Sequence, residues 1–332
     1  MSPTRPLWRR LLLDDEGRLR VALRLVGHAL VVLLGYLLGW LWMWASPGPW
    51  SFVTGVMMQT MWVVLATWAF ARLVDKRPPA TLGFRRTHAL RDGIAGAALG
   101  FVLIGSIGVV EGRLAWAAYE SVVLNAAGAM ALLRAVILFV CVAISEETWF
   151  RGYQLSNLAD ACAAWGPQRA RLFALLLSSF FFGCAHILNP HATVLSTTNI
   201  IVGGLLLGVT FARTRRLAFP IGLHFSWNLM QSLLDMPVSG QTLIDDVLVR
   251  RQERGDDLWT GGAFGPEAGL LGLLTMVVGA LLGLGYARVV EGRVVEGPIR
   301  SEVDTKQASC EPRADDERAL DRPNLGGDST AP

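Results

Sequence analysis

Runs of about 18 or more largely apolar residues recur along the chain, near 21–44, 51–71, 93–110, 123–150, 170–188, 193–212, 217–235 and 264–288. Crossing the hydrocarbon core of a bilayer as a helix takes about 20 such residues. The sequence therefore predicts an all-α fold, a polytopic helical membrane protein of about eight transmembrane helices. Composition agrees, because only 17% of the residues are charged where soluble domains average roughly 25%. Trp40, Trp42, Trp44 and Trp50 cluster at the ends of the first two runs, where an interfacial aromatic belt sits. The third run is short and rich in glycine, and Arg134 interrupts the fourth.

Three regions follow from the same pattern. Residues 1–20 form a basic amino-terminal segment, 21–290 the transmembrane domain, and 291–332 a polar, charged tail with Gly, Pro and Ser. That tail has the composition of a disordered segment. The first apolar run is too long for a signal-peptide core and lacks a small-residue cleavage site, so it reads as a retained helix. Lys and Arg concentrate in alternate loops, at Arg72–Arg77, Arg85–Arg91, Arg169–Arg171 and Arg213–Arg216. By the positive-inside rule this places both termini in the cytoplasm, in a multi-pass protein of the cell membrane. The formal charge of +3 is too small to suggest nucleic acid, and no basic stripe interleaved with aromatics appears, so no nucleic-acid partner is expected. Cys141, Cys162, Cys184 and Cys310 lack the spacing of a disulfide framework or a zinc knuckle. The pairs Gly96/Gly100, Gly204/Gly208 and Gly279/Gly283 suit close helix packing.

The chemistry begins at Ile144-Ser145-Glu146-Glu147-Thr148-Trp149-Phe150-Arg151, where the fourth run ends. An ionisable group at membrane depth costs several kcal/mol and marks a functional site by default. On a helix Glu147 and Arg151 are four residues apart and pair. Glu146 lies about 100° round the same helix and is left without a local cation.

Histidines supply the rest. A lone histidine in an apolar helix is more often a hydrogen-bonded packing residue, and His28 is read so. His186 is different, because Glu146 and His186 stand twenty residues either side of Gly166 in the Gly166-Pro167 turn. Antiparallel helices leaving that turn bring the two to a similar depth. His224 and Asn228 share one face of the seventh run. They begin about nine residues past the Arg213–Arg216 turn, or about 13 Å along a helix. The expected pocket thus lies between the fourth, fifth and seventh spans. A carboxylate in a low-dielectric site suits a general base, so Glu146 with His186 can hold and deprotonate a water. His224 and Asn228 can then donate to the oxyanion of a hydrolysed amide.

At this point the chain resembles a family. Glu146-Glu147-x-x-x-Arg151, Phe182-x-x-x-His186 and His224-x-x-x-Asn228, with Leu82-Gly83-Phe84 upstream, are similar to the motifs of the CPBP (CAAX-protease and bacteriocin-processing, or Abi) intramembrane proteases. The resemblance covers roughly residues 80–235. It implies an intramembrane endopeptidase in which Glu146 and His186 activate water, His224 and Asn228 form the oxyanion site, and Glu147, Arg151 and Phe182 support them. It also implies a peptide or protein C-terminus as substrate, prenylated in the eukaryotic branch, and the lipid bilayer as surroundings. No cofactor is the preferred reading; a zinc ion held by Glu146, His186 and His224 is the alternative. Two other classes stay open on the residues alone. One is a non-catalytic immunity or scaffold protein of the membrane, the other a proton-coupled transporter using Glu146 and His186.

Overall fold

Unpaired backbone N–H and C=O groups are too costly in hydrocarbon, so apolar runs close their own hydrogen bonds as helices. The computed structural model describes residues 12–14, 17–121, 125–244 and 249–291. All eight apolar runs are helical in it. They form α1 (Val21–Ala45), α2 (Ser51–Ala69), α3 (Ala89–Arg113), α4 (Ala126–Glu146) with the short α5 (Ser156–Ala161), α6 (Pro167–Cys184), α7 (Val194–Thr214), α8 (Ala218–Leu233) and α9 (Leu270–Glu291). The protein is a multi-pass, helical membrane protein. Among the described residues six stretches are each long and apolar enough to cross a bilayer: Val21–Ala45, Ser51–Val74, Ala89–Arg113, Ala126–Ala161, Val194–Thr214 and Leu270–Val290. The helices outside that group, α6 and α8, are shorter and carry His224, Ser226, Asn228 and a serine pair at Ser178-Ser179. The basic residues Arg5, Arg9 and Arg10 and the tail from 292 lie outside the described residues.

The fourth run departs from expectation. It starts at Ala126, where the Asn125 side chain accepts from the Gly128 N–H at 3.0 Å. It does not end near 150 but continues to Ala161, with Glu147–Leu155 wound as a π-helix between α4 and α5. Such wide turns are rare and occur frequently at functional sites. The far end of this segment is fixed by Asp75, which accepts from the Tyr153 hydroxyl at 3.2 Å and the Asn157 amide at 3.1 Å. Arg24 reaches the same carboxylate at 3.4 Å, with both side chains buried. The Leu82-Gly83-Phe84 element docks here too. The Gly83 carbonyl accepts from Leu217 N–H at the start of α8, and a Cβ on Gly152 would meet the Leu82 carbonyl at 3.0 Å.

Helices α3 and α8 cross in backbone contact. A Cβ at Gly96 would lie 2.1 Å from the Phe219 carbonyl oxygen, and one at Gly100 2.1 Å from Ser226 Oγ. No side chain larger than hydrogen fits there, so these glycines set how deeply α8 sits in the bundle. Gly204 plays the same part between α7 and Ser179 of α6. The apolar core that results joins Leu103, Ile104, Phe150, Phe182, Leu223 and Trp227.

Among the described residues one two-stranded sheet accompanies the helices. Strands β1 (Ala117–Ser121) and β2 (Val249–Glu253) pair antiparallel, with Ala117 opposite Glu253. Arg251 ties this ribbon to the bundle through two bonds of 3.0 Å to Glu111 and an N–H bond of 3.0 Å to Asp235. Tyr119 donates to Glu111 at 2.9 Å. Burial, and then the Glu111 carboxylate beside it, hold this phenol well above its ordinary value, so it stays a donor. Arg134 reaches the Ser46–Trp50 turn and donates to the Pro49 carbonyl at 3.0 Å, keeping its charge at the end of the bundle.

Candidate active site

The junction of α4 with the π-helix presents two successive carboxylates with different surroundings. Glu147 is wholly buried. Its Oε1 accepts from Arg151 at 2.9 Å, four residues on, and lies 2.9 Å from His224 Nδ1 on α8. Arg151 spends a second N–H on the Gly204 carbonyl at 3.1 Å and stacks 4.3 Å from the Phe182 ring. The pairing expected within one helix is therefore present, and it extends to α7 and α8.

Glu146 turns the other way, into a cavity of about 520 Å³. Its Oε2 is buried without a hydrogen-bond partner, and His224 Nε2 stands 3.8 Å away. His224 thus bridges the acids, with one ring nitrogen toward each. A carboxylate paired with a guanidinium only accepts, so the proton at Nδ1 belongs to His224. A donor at Nε2 as well then requires the imidazolium, which sets two cations, Arg151 and His224, against the two acids Glu147 and Glu146.

His186, at the end of α6, lines the same cavity. Its Nδ1 meets the Phe182 carbonyl at 2.8 Å, one helical turn back, which leaves Nε2 for the cavity. Phe182 separates the two imidazoles, with ring centres 4.9 Å from His186 and 6.2 Å from His224. Asn228 is buried on the cavity wall, one turn after His224. The cavity therefore gathers Glu146, His186, His224 and Asn228, as the hairpin and helix spacings predict. The imidazole brought near Glu146 is that of His224; no hydrogen bond or ion pair joins Glu146 to His186 among the described residues.

The cavity draws on more of the chain than the fourth, fifth and seventh runs. Leu33 and Tyr36 of α1, Phe52 of α2, and Ile200 and Leu206 of α7 complete an apolar wall. Two polar residues on it are absent from the sequence reading. Tyr36 packs 6.2 Å from the Trp149 ring and lies beside Glu146. Glu267 is buried just ahead of α9, within electrostatic reach of His186. A lone acid inside the run 264–288 was the available signal.

The alternative zinc ligands Glu146, His186 and His224 are tested by the same geometry. Among the described residues no three His, Cys, Asp or Glu side chains converge as metal ligands. His224 gives Nδ1 to Glu147 and His186 gives Nδ1 to the Phe182 carbonyl, which leaves the Nε2 of each toward the cavity. As arranged, the three side chains do not converge on one point in the way a zinc site needs.

No curated protein and no solved structure matches the chain. Residues 128–230 match the family described as Type II CAAX prenyl endopeptidase Rce1-like. That stretch holds the acid pair, His186, His224 and Asn228, and over it the chain is similar to the CAAX-protease family of intramembrane endopeptidases.

Proposed function

We propose that the protein hydrolyses a peptide bond inside the membrane with a water activated by Glu146. The observation that carries this reading is the unpartnered Glu146 oxygen, buried on a cavity shared with His186, His224 and Asn228. Glu146, assisted by His186 Nε2, takes a proton from a water, and the hydroxide adds to the substrate carbonyl carbon. The oxyanion accepts from the Asn228 amide and from His224 Nε2–H, donors aimed where charge develops. Glu146 then returns the proton to the departing nitrogen as the C–N bond breaks. Glu147 and Arg151 hold the His224 ring and its charge, while Phe182 spaces the two imidazoles.

The apolar wall of Leu33, Phe52, Leu138, Val142 and Trp149 suits a substrate bearing a lipid chain. In this reading the scissile bond follows a prenylated cysteine near a protein C-terminus. The arginine-rich loops and both termini face the cytoplasm, and 21–290 forms the protease domain between the basic amino-terminal segment and the polar, charged tail.

The test is purified protein with a quenched fluorogenic peptide ending in a farnesylated cysteine and three residues, beside its unmodified twin. Cleavage that disappears in Glu146→Ala and in His186→Ala supports the mechanism. Full activity in Glu146→Ala would sink it. No cleavage of either peptide by folded protein favours a scaffold or a transporter instead.

A further inference from the structure

Glu267 is a buried acid that the mechanism above does not use. It stands in the Pro266–Ala268 turn ahead of α9, and both its oxygens are taken. Oε1 accepts from Trp227 Nε1 at 3.2 Å. Oε2 accepts from the Ser239 backbone N–H at 2.7 Å and the Ser239 hydroxyl at 3.1 Å. Three donors occupy three of the roughly four acceptor sites of the carboxylate, so the group is held by its neighbours where Glu146 is not.

The three donors belong to walls of the cavity. Trp227 precedes Asn228 on α8 and follows His224 by three residues. Ser239 and Gly240 take left-handed conformations, with φ of 48° and 83°. They form a tight turn across which Val238 and Gln241 exchange both backbone hydrogen bonds, at 2.9 and 3.0 Å. The Ser239 carbonyl in turn accepts from Asn189 at 2.9 Å, three residues beyond His186. A Cβ at Gly240 would lie 2.0 Å from the Pro190 carbonyl oxygen, so the turn rests directly on the segment after His186. One side chain thereby links α8, the turn and the end of α6.

We propose that Glu267 is a positioning residue of this site. By holding Trp227 and Ser239 it fixes the rotation of α8, and so the direction in which His224 and Asn228 donate. The inference rests on the active-site reading above. Oxyanion donors act through placement, and a shift of about 1 Å can cost roughly 10²-fold in rate. Glutamine at 267 keeps the shape but must point its NH₂ at either the indole N–H or the Ser239 N–H, breaking one bond by donor-to-donor repulsion.

The test is kinetics of Glu267→Gln, Trp227→Phe and their double variant on the farnesylated quenched peptide, normalised to folded protein by size exclusion. A positioning role lowers kcat about 10- to 100-fold in Glu267→Gln and leaves KM within about twofold. Trp227→Phe keeps the ring and removes the donor, so it lowers kcat in the same manner. The double variant then loses no more than the worse single. If Glu267→Gln does not fold, Trp227→Phe decides: wild-type kcat overturns the role. Unchanged kcat in Glu267→Gln, or fully additive losses, likewise overturns it while Glu146→Ala stays inactive. Activity surviving in Glu146→Ala tells instead against the active-site reading itself.

Discussion

Glu147 Oε1 and His224 Nδ1 meet at 2.9 Å between the π-helix and α8. The same oxygen receives Arg151 at 2.9 Å. A wholly buried carboxylate therefore stands between two potential cations, and removing it strands both. Breaking a buried pair by taking away one partner costs roughly 3–5 kcal/mol. Glu147→Ala is expected to lower the thermal midpoint of the detergent-solubilised protein and its folded yield, and to lower the cleavage rate per folded molecule as well. A midpoint and rate equal to wild type would refute the linkage.

Asn228 is expected to act on the transition state alone. Asn228→Ala should reduce kcat about 10²- to 10³-fold, the usual loss of one oxyanion donor, with KM nearly constant. A rise in KM at constant kcat would mean that the amide binds substrate uniformly instead. A proton relay, by contrast, would keep any transport activity in this variant.

Asp75 lies away from the cavity and tests the fold. It is the shared acceptor for Arg24, Tyr153 and Asn157, which hold α1 against the far end of the π-helix. Asp75→Ala should destabilise by about 3–5 kcal/mol, seen as a lower midpoint and faster proteolysis. Asp75→Asn, which keeps one acceptor, should lose less. Equal stability of Asp75→Ala and wild type would remove the cluster from the account of the π-helix.

Cleavage should survive prolonged treatment with a strong chelator, measured on the same peptide before and after dialysis. Activity lost to the chelator and restored by added zinc would instead establish the metal alternative built on Glu146, His186 and His224.

Much of this architecture is legible before folding, because membrane spans and motif spacing are local properties. Apolar length gave the helices, and the twenty-residue symmetry about Gly166 put Glu146 and His186 on one cavity. Counting four residues found the Glu147–Arg151 pair. The second partner of Glu147 was hidden because His224 is 77 positions away, and only the crossing of α3 with α8 brings it there. The winding of 147–155 left no mark either, since nothing in Glu147–Leu155 forbids an ordinary helix. Glu267 was passed over because a run that is apolar on average conceals a single acid at its edge.

The wide winding of Glu147–Leu155 has a consequence for length. A π-helical turn holds one residue more than the α-helical turn it replaces, so the segment carries a residue that regular coiling has no room for. Were the same residues coiled evenly instead, everything on one side would turn by about 100° relative to the other. The acid pair and the Tyr153–Asn157 anchor would then no longer face their partners together. The spacing between Glu146 and the Asp75 clasp is for that reason as much a determinant of the protein as the identity of either.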